Sequence, residues 1–329
     1  MLVISMEEDY YTAYHIVSYK YGEDYPFFPF LVVALYGLLH YYSDYKDTII
    51  KLFQEVDIYI ENDSVFNILK KHDIEPFGFD EDEKAMKYST NATFGVSSRG
   101  HGFDVDEEGN TSFVEDPPFI VCSYETSSMG KLLNTFIHEF SHLIKSQKNS
   151  LKIEKSDDID VYKIRCGLNI LCYTYDSSKD MVYELEFFNA LDEAINVIQT
   201  TDMMQEIASL KEIVNEEEIL KLLNLISKDD YHKDFGYASC VKAIRPLWSN
   251  SHFKKIVSEN IVEGSINSIF EEFDAILGED SFEYLGDSLD ELDDLELKGG
   301  QLGKQYLLKK RIQNMVLEYN KKSRKVYQK

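Results

Sequence analysis

The sequence of 329 residues has only four cysteines, and no two of them form a CxxC pair. A chain of this length can bury a substantial core without disulfides, so we interpret all four as reduced thiols. Long hydrophobic runs are also lacking. The longest apolar stretch, Phe27 to Leu39, falls short of the roughly 20 residues that cross a bilayer. These absences exclude a disulfide scaffold and a membrane-spanning helix.

Basic residues are scarce, because 34 Lys and Arg stand against 59 Asp and Glu, and the formal net charge is -25. An acidic surface repels nucleic acid and anionic membranes, so we expect no membrane partner and little affinity for nucleic acid. The N-terminus lacks the basic region and apolar run of a secretory signal. We therefore expect a cytoplasmic protein, although export by a route that needs no signal is compatible with the same features.

The basic residues are concentrated at the C-terminal end. Residues 298–329 contain ten Lys or Arg and one Glu, a net charge of +9, which leaves -34 for the rest of the chain. We predict a basic helix that lies against the protein's own acidic surface, with the stretch DSLDELDDLEL (residues 287–297) as its candidate partner. Contact of this helix with nucleic acid or phosphate is the alternative.

Hydrophobic periodicity predicts an α+β fold and divides the chain into four regions. Residues 1–86 form an N-terminal helical region, and residues 87–200 form the core that carries the candidate site. Within this core, β-branched and aromatic residues predict a small sheet over about 87–124. Residues 201–297 form a helical C-terminal subdomain, and residues 298–329 form the basic helix or tail.

An apolar helix is predicted directly after this sheet, with Ser127 or Ser128 as its N-cap. Its buried face is predicted to consist of Leu132, Leu133, Phe136, Ile137, Phe140 and Ile144. The helix also carries the sequence HEFSH, in which His138 and His142 are four residues apart and therefore share one face. Farther along, residues 160–176 predict a hairpin or two short strands, and residues 181–200 predict a helix.

The HEFSH spacing suits a zinc site, because two neutral imidazoles on one helix face can bind one ion at roughly 2.0–2.1 Å. Glu139 lies about 100° around the helix from His138, so it flanks the metal instead of binding it. It can act as the general base that takes a proton from a metal-activated water and passes it to a leaving amine. The alternative is a helix whose two histidines bind no metal.

The motif and the order of the segments resemble those of the HExxH zincin metallopeptidases. The resemblance implies a small upper sheet, an active-site helix, a mostly helical lower subdomain and one Zn²⁺ per chain. It is close only over residues 119–200. The metzincin branch is excluded, because Lys145 and Lys148 stand where that branch has a glycine and its third histidine.

The resemblance to the gluzincin branch implies a third zinc ligand on a later helix. The segment NALDEAINVIQT resembles that helix and assigns Glu193 as the ligand. Glu186 is the alternative, because a separation of seven residues puts it within about 20° of Glu193 on the same predicted helix face. Its setting resembles that of the regulator-cleaving peptidases of mobile elements. Val197 replaces an aspartate that orients a zinc histidine in the best-known gluzincins, and Asn196 is the candidate for that role.

The resemblance also implies a Tyr or His that donates a hydrogen bond to the oxyanion of the reaction intermediate. Tyr237 is the candidate, and Tyr231 and His232 are the alternatives. Tyr173 and Tyr175 are candidates for lining the cleft.

These features predict a zinc-dependent metallopeptidase that acts on a peptide or protein substrate, with Glu139 as general base. The resemblance to gluzincins also implies that substrate pairs with an edge strand of the upper sheet, and residues 91–98 and 119–125 are the possible edges. The alternative is a catalytically inactive, peptidase-like interaction or regulatory protein. Glu139 favours the enzyme, because an inactive scaffold has no need of a base between its ligands. A signalling or toxin role that uses the peptidase is also compatible with the sequence.

Overall fold

A computed structural model describes residues 2–74, 95–98, 101–105, 111–115, 117–125, 127–146, 152–155, 159–176, 181–227, 230, 237–262 and 266–327. This part of the chain is mostly helical and contains small β-sheets, which confirms the predicted α+β class. It forms two compact units, residues 1–144 with 200–233 and residues 145–199 with 234–329. The division of the sequence into four regions stays a prediction.

The helices and strands are labelled here in chain order. The helices are α1 (Leu2–Tyr21), α2 (Phe28–Tyr41), α3 (Lys46–Glu55), α4 (Val65–Lys71), α5 (Met129–Lys145), α6 (Asn189–Ser209), α7 (Glu217–Leu225), α8 (Ala238–Trp248), α9 (Ser251–Ile261), α10 (Ile266–Leu277), α11 (Ser281–Lys298) and α12 (Leu302–Tyr327). Short 3₁₀ helices cover Ser43–Tyr45 and Leu210–Glu212. The strands are β1 (Asp57–Glu61), β2 (Gly95–Ser98), β3 (His101–Val105), β4 (Thr111–Glu115), β5 (Phe119–Ser123), β6 (Lys152–Lys155), β7 (Ile159–Cys166), β8 (Asn169–Asp176) and β9 (Met181–Phe187).

Helix α2 forms the centre of the helical core in the first unit, because its sequence is apolar on all sides. It packs against α1, α3 and α7. Gly37 lets α6 approach closely, since a Cβ atom at this position would lie 2.6 Å from Cδ1 of Ile207. Among the described helices, none is both long enough and apolar enough to cross a membrane.

A three-stranded sheet in the first unit has the order β1-β5-β2, in which β5 is parallel to β1 and antiparallel to β2. The strands predicted over residues 87–124 are found, but β3 and β4 pair in a separate two-stranded sheet, so the prediction of one sheet is wrong. Strand β1 was predicted to belong to the N-terminal helical region, and that prediction is also wrong. The prediction that residues 119–125 form an edge is wrong, because β5 is the central strand and is buried along its length. Strand β2 lies at an edge of the described sheet, whereas residues 91–94 lie outside the described residues.

Helix α5 follows this sheet and begins as predicted, with Ser128 Oγ accepting a hydrogen bond from the Lys131 backbone N–H at 3.1 Å. All six residues of the predicted apolar face are buried. The Phe136 ring packs edge-on against Phe30, with ring centroids 5.6 Å apart. The Phe140 ring contacts Phe53 with centroids 6.0 Å apart. These contacts fix the rotation of α5 about its own axis.

The second unit contains a four-stranded antiparallel sheet with the order β6-β7-β8-β9. The hairpin predicted over residues 160–176 is confirmed by β7 and β8. The helix predicted over residues 181–200 is wrong in its first part, because residues 181–187 form β9. Their sequence MVYELEF alternates apolar residues with glutamates near its end, and pairing with residues 170–176 of β8 outweighs the helical spacing.

A side chain of α11 caps the N-terminus of helix α6. The two carboxylate oxygens of Asp290 accept hydrogen bonds from the backbone N–H groups of Phe188 and Ala190, each at 2.8 Å. Burial raises the pKa of Asp290 to about 6, against the lowering effect of these two donors. Gly286 lies against the Phe188 ring, and a Cβ atom there would come within 2.1 Å of that ring.

The C-terminal helix α12 packs against α8, α10 and α11. Lys304 Nζ lies 2.5 Å from a carboxylate oxygen of Glu291, and Lys309 Nζ lies 2.6 Å from one of Glu296. Both acids belong to the stretch DSLDELDDLEL, so the predicted packing of the basic helix on this acidic partner is confirmed for these pairs.

Replacement of Gly286 by Ala tests the close approach of α11 to Phe188. Although Ala favours a helix more than Gly does, the added methyl group must displace the Phe188 ring, so we expect a net loss of about 1–3 kcal/mol of unfolding free energy. Gly303→Ala is the matched control, because no atom lies within 4 Å of its added Cβ, and it should gain up to about 1 kcal/mol. Urea unfolding measures both. Equal stability of the two variants would contradict the packing described.

Candidate metal centre

His138 and His142 lie on consecutive turns of α5 and are half-buried. Their Nε2 atoms are 3.2 Å apart, and the ring planes are inclined by 80°. Two nitrogens that bind one tetrahedral zinc ion at roughly 2.0–2.1 Å are themselves about 3.3 Å apart. The observed separation therefore fits a shared metal ion, and it also fits a direct N–H···N hydrogen bond between the rings.

Glu193 on α6 is the third member of a group of candidate metal ligands. His138, His142 and Glu193 each offer one ligand atom, and these atoms all lie within 4.8 Å of one another. Histidine nitrogens and a carboxylate oxygen are the donor set of a three-residue zinc site. Among the described residues, these three form a group that can hold a metal ion.

Glu186, the predicted alternative, lies in a different setting. It is exposed on strand β9, where its Oε1 accepts a hydrogen bond from Asn169 Nδ2 at 2.6 Å. The prediction that Glu186 and Glu193 share one helix face is wrong, because α6 begins only at Asn189. Glu186 is also not a member of the group of candidate ligands in the described part of the chain.

Glu139, the predicted general base, is held by strand β2. Its Oε2 accepts a hydrogen bond from Ser97 Oγ at 2.9 Å. Gly95, two residues earlier on the same face of the strand, leaves room for α5, since a Cβ atom there would lie 2.5 Å from Thr135 and 3.1 Å from Glu139 Cγ. The roles of Ser97 and Gly95 could not be predicted from the sequence, because Ser97 and Glu139 are 42 residues apart and their contact leaves no local signal.

Lys145, one turn after His142, is almost fully buried. Its Nζ donates a hydrogen bond to Oδ1 of Asn196 on α6 at 2.9 Å. Burial lowers the pKa of Lys145, and the nearby carboxylates of Asp192 and Glu193 oppose that effect. Asn196 therefore pairs with a buried cation, and its predicted role toward a histidine stays a prediction.

The turn between β7 and β8 forms a hydrogen bond with the first turn of α6. Oδ1 of Asp192 accepts a hydrogen bond from the backbone N–H of Leu168 at 2.8 Å. Gly167 has a φ of +64°, and a Cβ atom there would lie only 2.4 Å from the same oxygen. Together with Asp290 at the start of the helix, this contact fixes the part of α6 that carries Glu193.

Tyr237, the predicted oxyanion donor, directly precedes α8 in a left-handed conformation with φ 45° and ψ 22°. This conformation is rare for a bulky residue and persists only where the surroundings impose it. The Tyr237 hydroxyl accepts a hydrogen bond from Asn189 Nδ2 at 3.4 Å, one helical turn before Glu193. Burial raises the pKa of Tyr237, and the Glu193 carboxylate raises it further.

Tyr231 and His232, the alternative oxyanion donors, lie outside the described residues. Tyr173 and Tyr175, the candidates for lining the cleft, belong to β8, but their side chains are not among those described.

The Lys145–Asn196 contact can be tested by a double-mutant cycle. Lys145→Met and Asn196→Leu should each lower the free energy of unfolding by about 1–3 kcal/mol, because each leaves a buried polar partner without its hydrogen bond. The double variant should lose clearly less than the sum of the two. Urea unfolding of the four proteins gives the coupling, and strictly additive losses would show that the two side chains do not interact.

Searches among protein families, curated proteins and solved structures find no match for this chain. The functional assignment therefore depends on the residues of the candidate centre alone.

Proposed function

We propose that this protein is a zinc-dependent metallopeptidase with a zincin-like arrangement of sheet and active-site helix. The observation that carries the proposal is the geometry of HEFSH on α5. Two imidazole nitrogens converge to 3.2 Å from one face, and the intervening Glu139 carboxylate is held by Ser97. The order of the segments also supports it, because the three-stranded sheet precedes α5 and helices predominate after β9.

His138, His142 and Glu193 are the residues that would hold the metal in this proposal. Two imidazoles and one carboxylate are a donor set found in catalytic zinc sites, so these residues would suit a zinc ion. The bound ion supplies Lewis acidity to the reaction.

Glu139 supplies the acid–base chemistry. Ser97 donates to its Oε2, which leaves Oε1 to take a proton from the attacking water and later to deliver it to the leaving amine. The hydrogen bond from Ser97 also restricts rotation of the carboxylate. A base that is already oriented loses less conformational freedom when the reaction begins.

Strand β2 offers a way to hold the substrate beside this base. It lies at an edge of the described sheet and carries Ser97, the residue that contacts Glu139. An extended peptide that pairs with this edge would run next to the general base. Tyr237 would donate its hydroxyl hydrogen to the oxyanion of the reaction intermediate.

The metal assignment predicts about one zinc ion per chain. His138→Ala, His142→Ala and Glu193→Ala should each weaken zinc binding by at least about 100-fold, more than the loss of a residue that only orients a ligand. Glu186→Ala and His15→Ala are the matched controls, because both side chains are exposed and neither belongs to the group. Zinc content after dialysis and competition with a fluorescent chelator measure the affinities. Full zinc retention in the Glu193 variant, or its loss in the Glu186 variant, would refute the assignment of the third ligand.

The general-base assignment predicts that Glu139→Gln keeps zinc and fold but loses peptide cleavage by about 10²–10⁴-fold. Ser97→Ala should lose less, because it only frees the carboxylate to rotate. Cleavage of a peptide mixture from a digested proteome, followed by mass spectrometry, measures the activity of each variant. Wild-type cleavage by Glu139→Gln would refute the base. A zinc-loaded wild type that cleaves nothing would favour a non-catalytic interaction protein.

A further inference from the structure

A basic groove lies between helices α8 and α12 in the second unit, and its volume is about 760 Å³. Four cationic residues line it: Lys242 and Arg245 from α8, and Lys321 and Arg324 from α12. Pro246 and Leu317 are its apolar lining residues. We refer to this feature as the basic groove.

A network of side-chain hydrogen bonds holds the two walls of the basic groove together. Asn250 Nδ2 donates to Asn320 Oδ1 at 2.9 Å and to Ser323 Oγ at 2.8 Å. Asn320 Nδ2 in turn donates to the backbone carbonyl of Pro246 at 2.9 Å, near the C-terminus of α8 where carbonyls lack helical partners. The groove is therefore a fixed feature of this pair of helices.

The charge of the basic groove contrasts with that of the chain. No Asp or Glu is among the described residues that line it, although the whole chain carries -25. Within the described part of the chain, Lys242, Lys321 and Arg324 form no ion pair, whereas Lys304 and Lys309 on the first half of α12 pair with acids of α11. Glu318, the acid in the second half of α12, pairs with Lys322 at 2.8 Å, which leaves Lys321 and Arg324 for another acidic group.

The length of the basic groove follows from the positions of its lining residues along the two helices. Lys242 and Arg245 follow one face of α8, and Ser249 comes directly after that helix. On α12 the lining residues on one face are Leu317, Asn320, Lys321 and Arg324. Each wall spans seven residue steps, which is about 10 Å of helix. An extended peptide at about 3.3 Å per residue would place about three residues along this length.

We propose that the basic groove binds an acidic peptide segment of a partner protein, with two or more carboxylates flanking an apolar side chain. The carboxylates would contact the cations of the two walls, and the apolar side chain would lie on Pro246 and Leu317. A nucleic acid fits less well. No aromatic side chain among the described lining residues offers a surface for stacked bases, and the acidic remainder of the chain repels a long polyanion.

Fluorescence anisotropy with a library of short rhodamine-labelled peptides tests this proposal on the full chain. Each peptide carries two Glu at varied spacing around one Leu, and matched peptides carry Gln in place of Glu. We expect members of the Glu series to bind in the micromolar range or tighter and the Gln series about tenfold or more weaker, with weaker binding as salt rises from about 50 to about 200 mM. If no Glu peptide binds better than its Gln counterpart, the proposal is wrong.

Charge reversal locates the binding. The double variant Lys321→Glu with Arg324→Glu should weaken the best peptide by about tenfold or more, because two attractions become repulsions. Lys310→Glu with Lys325→Glu is the matched control, since it makes the same charge change on exposed positions of α12 outside the basic groove. Equal losses in both variants would refute the location. Tighter binding of a single-stranded oligothymidine, abolished only by the groove variant, would replace the peptide with nucleic acid as the ligand and overturn the proposal.

Discussion

The burial of the apolar face of α5 is the constraint on which the candidate centre depends. Phe136 and Phe140 are fully buried against the aromatic side chains of α2 and α3. Burial of each such side chain contributes about 1.5–3 kcal/mol, so rotation of the helix away from this packing is costly. Because side chains on a helix keep fixed angular offsets, the same packing determines where His138, Glu139 and His142 point. The core thus orients groups that are themselves only half-buried.

The polar contacts around α6 perform the same task for Glu193. Asp290 caps the start of the helix, Asp192 binds the β7–β8 turn, and Asn196 binds Lys145. A buried lysine so close to two carboxylates offsets part of the negative charge near Glu193. Buried polar groups are stable where they find partners, and these contacts provide partners for Asp290, Asp192 and Asn196. These hydrogen bonds offset part of the cost of burying the polar side chains, and they fix the position of the helix that carries Glu193.

The sequence could predict those parts of the fold and site that follow from local periodicity. The apolar face of α5, the Ser128 cap and the relation of His138 to His142 all arise within one helix, where the spacing of residues determines the geometry. The sequence of strand β9 predicts a helix, because its side-chain pattern fits both the 3.6-residue period of a helix and the two-residue period of a strand. Only pairing with β8 decides between the two. Ser97 and Asp290 could not be predicted, because each reaches its partner through tertiary packing that no local pattern records.

X-ray absorption at the zinc edge of the zinc-loaded chain tests the central claim most directly. The account predicts a four-coordinate site with two imidazoles and oxygen donors at about 2.0–2.2 Å, and with no sulfur neighbour. Glu193→Ala should change the oxygen shell and leave the two imidazoles in place. A spectrum with a single imidazole, with sulfur ligands or with six oxygen ligands would contradict the account.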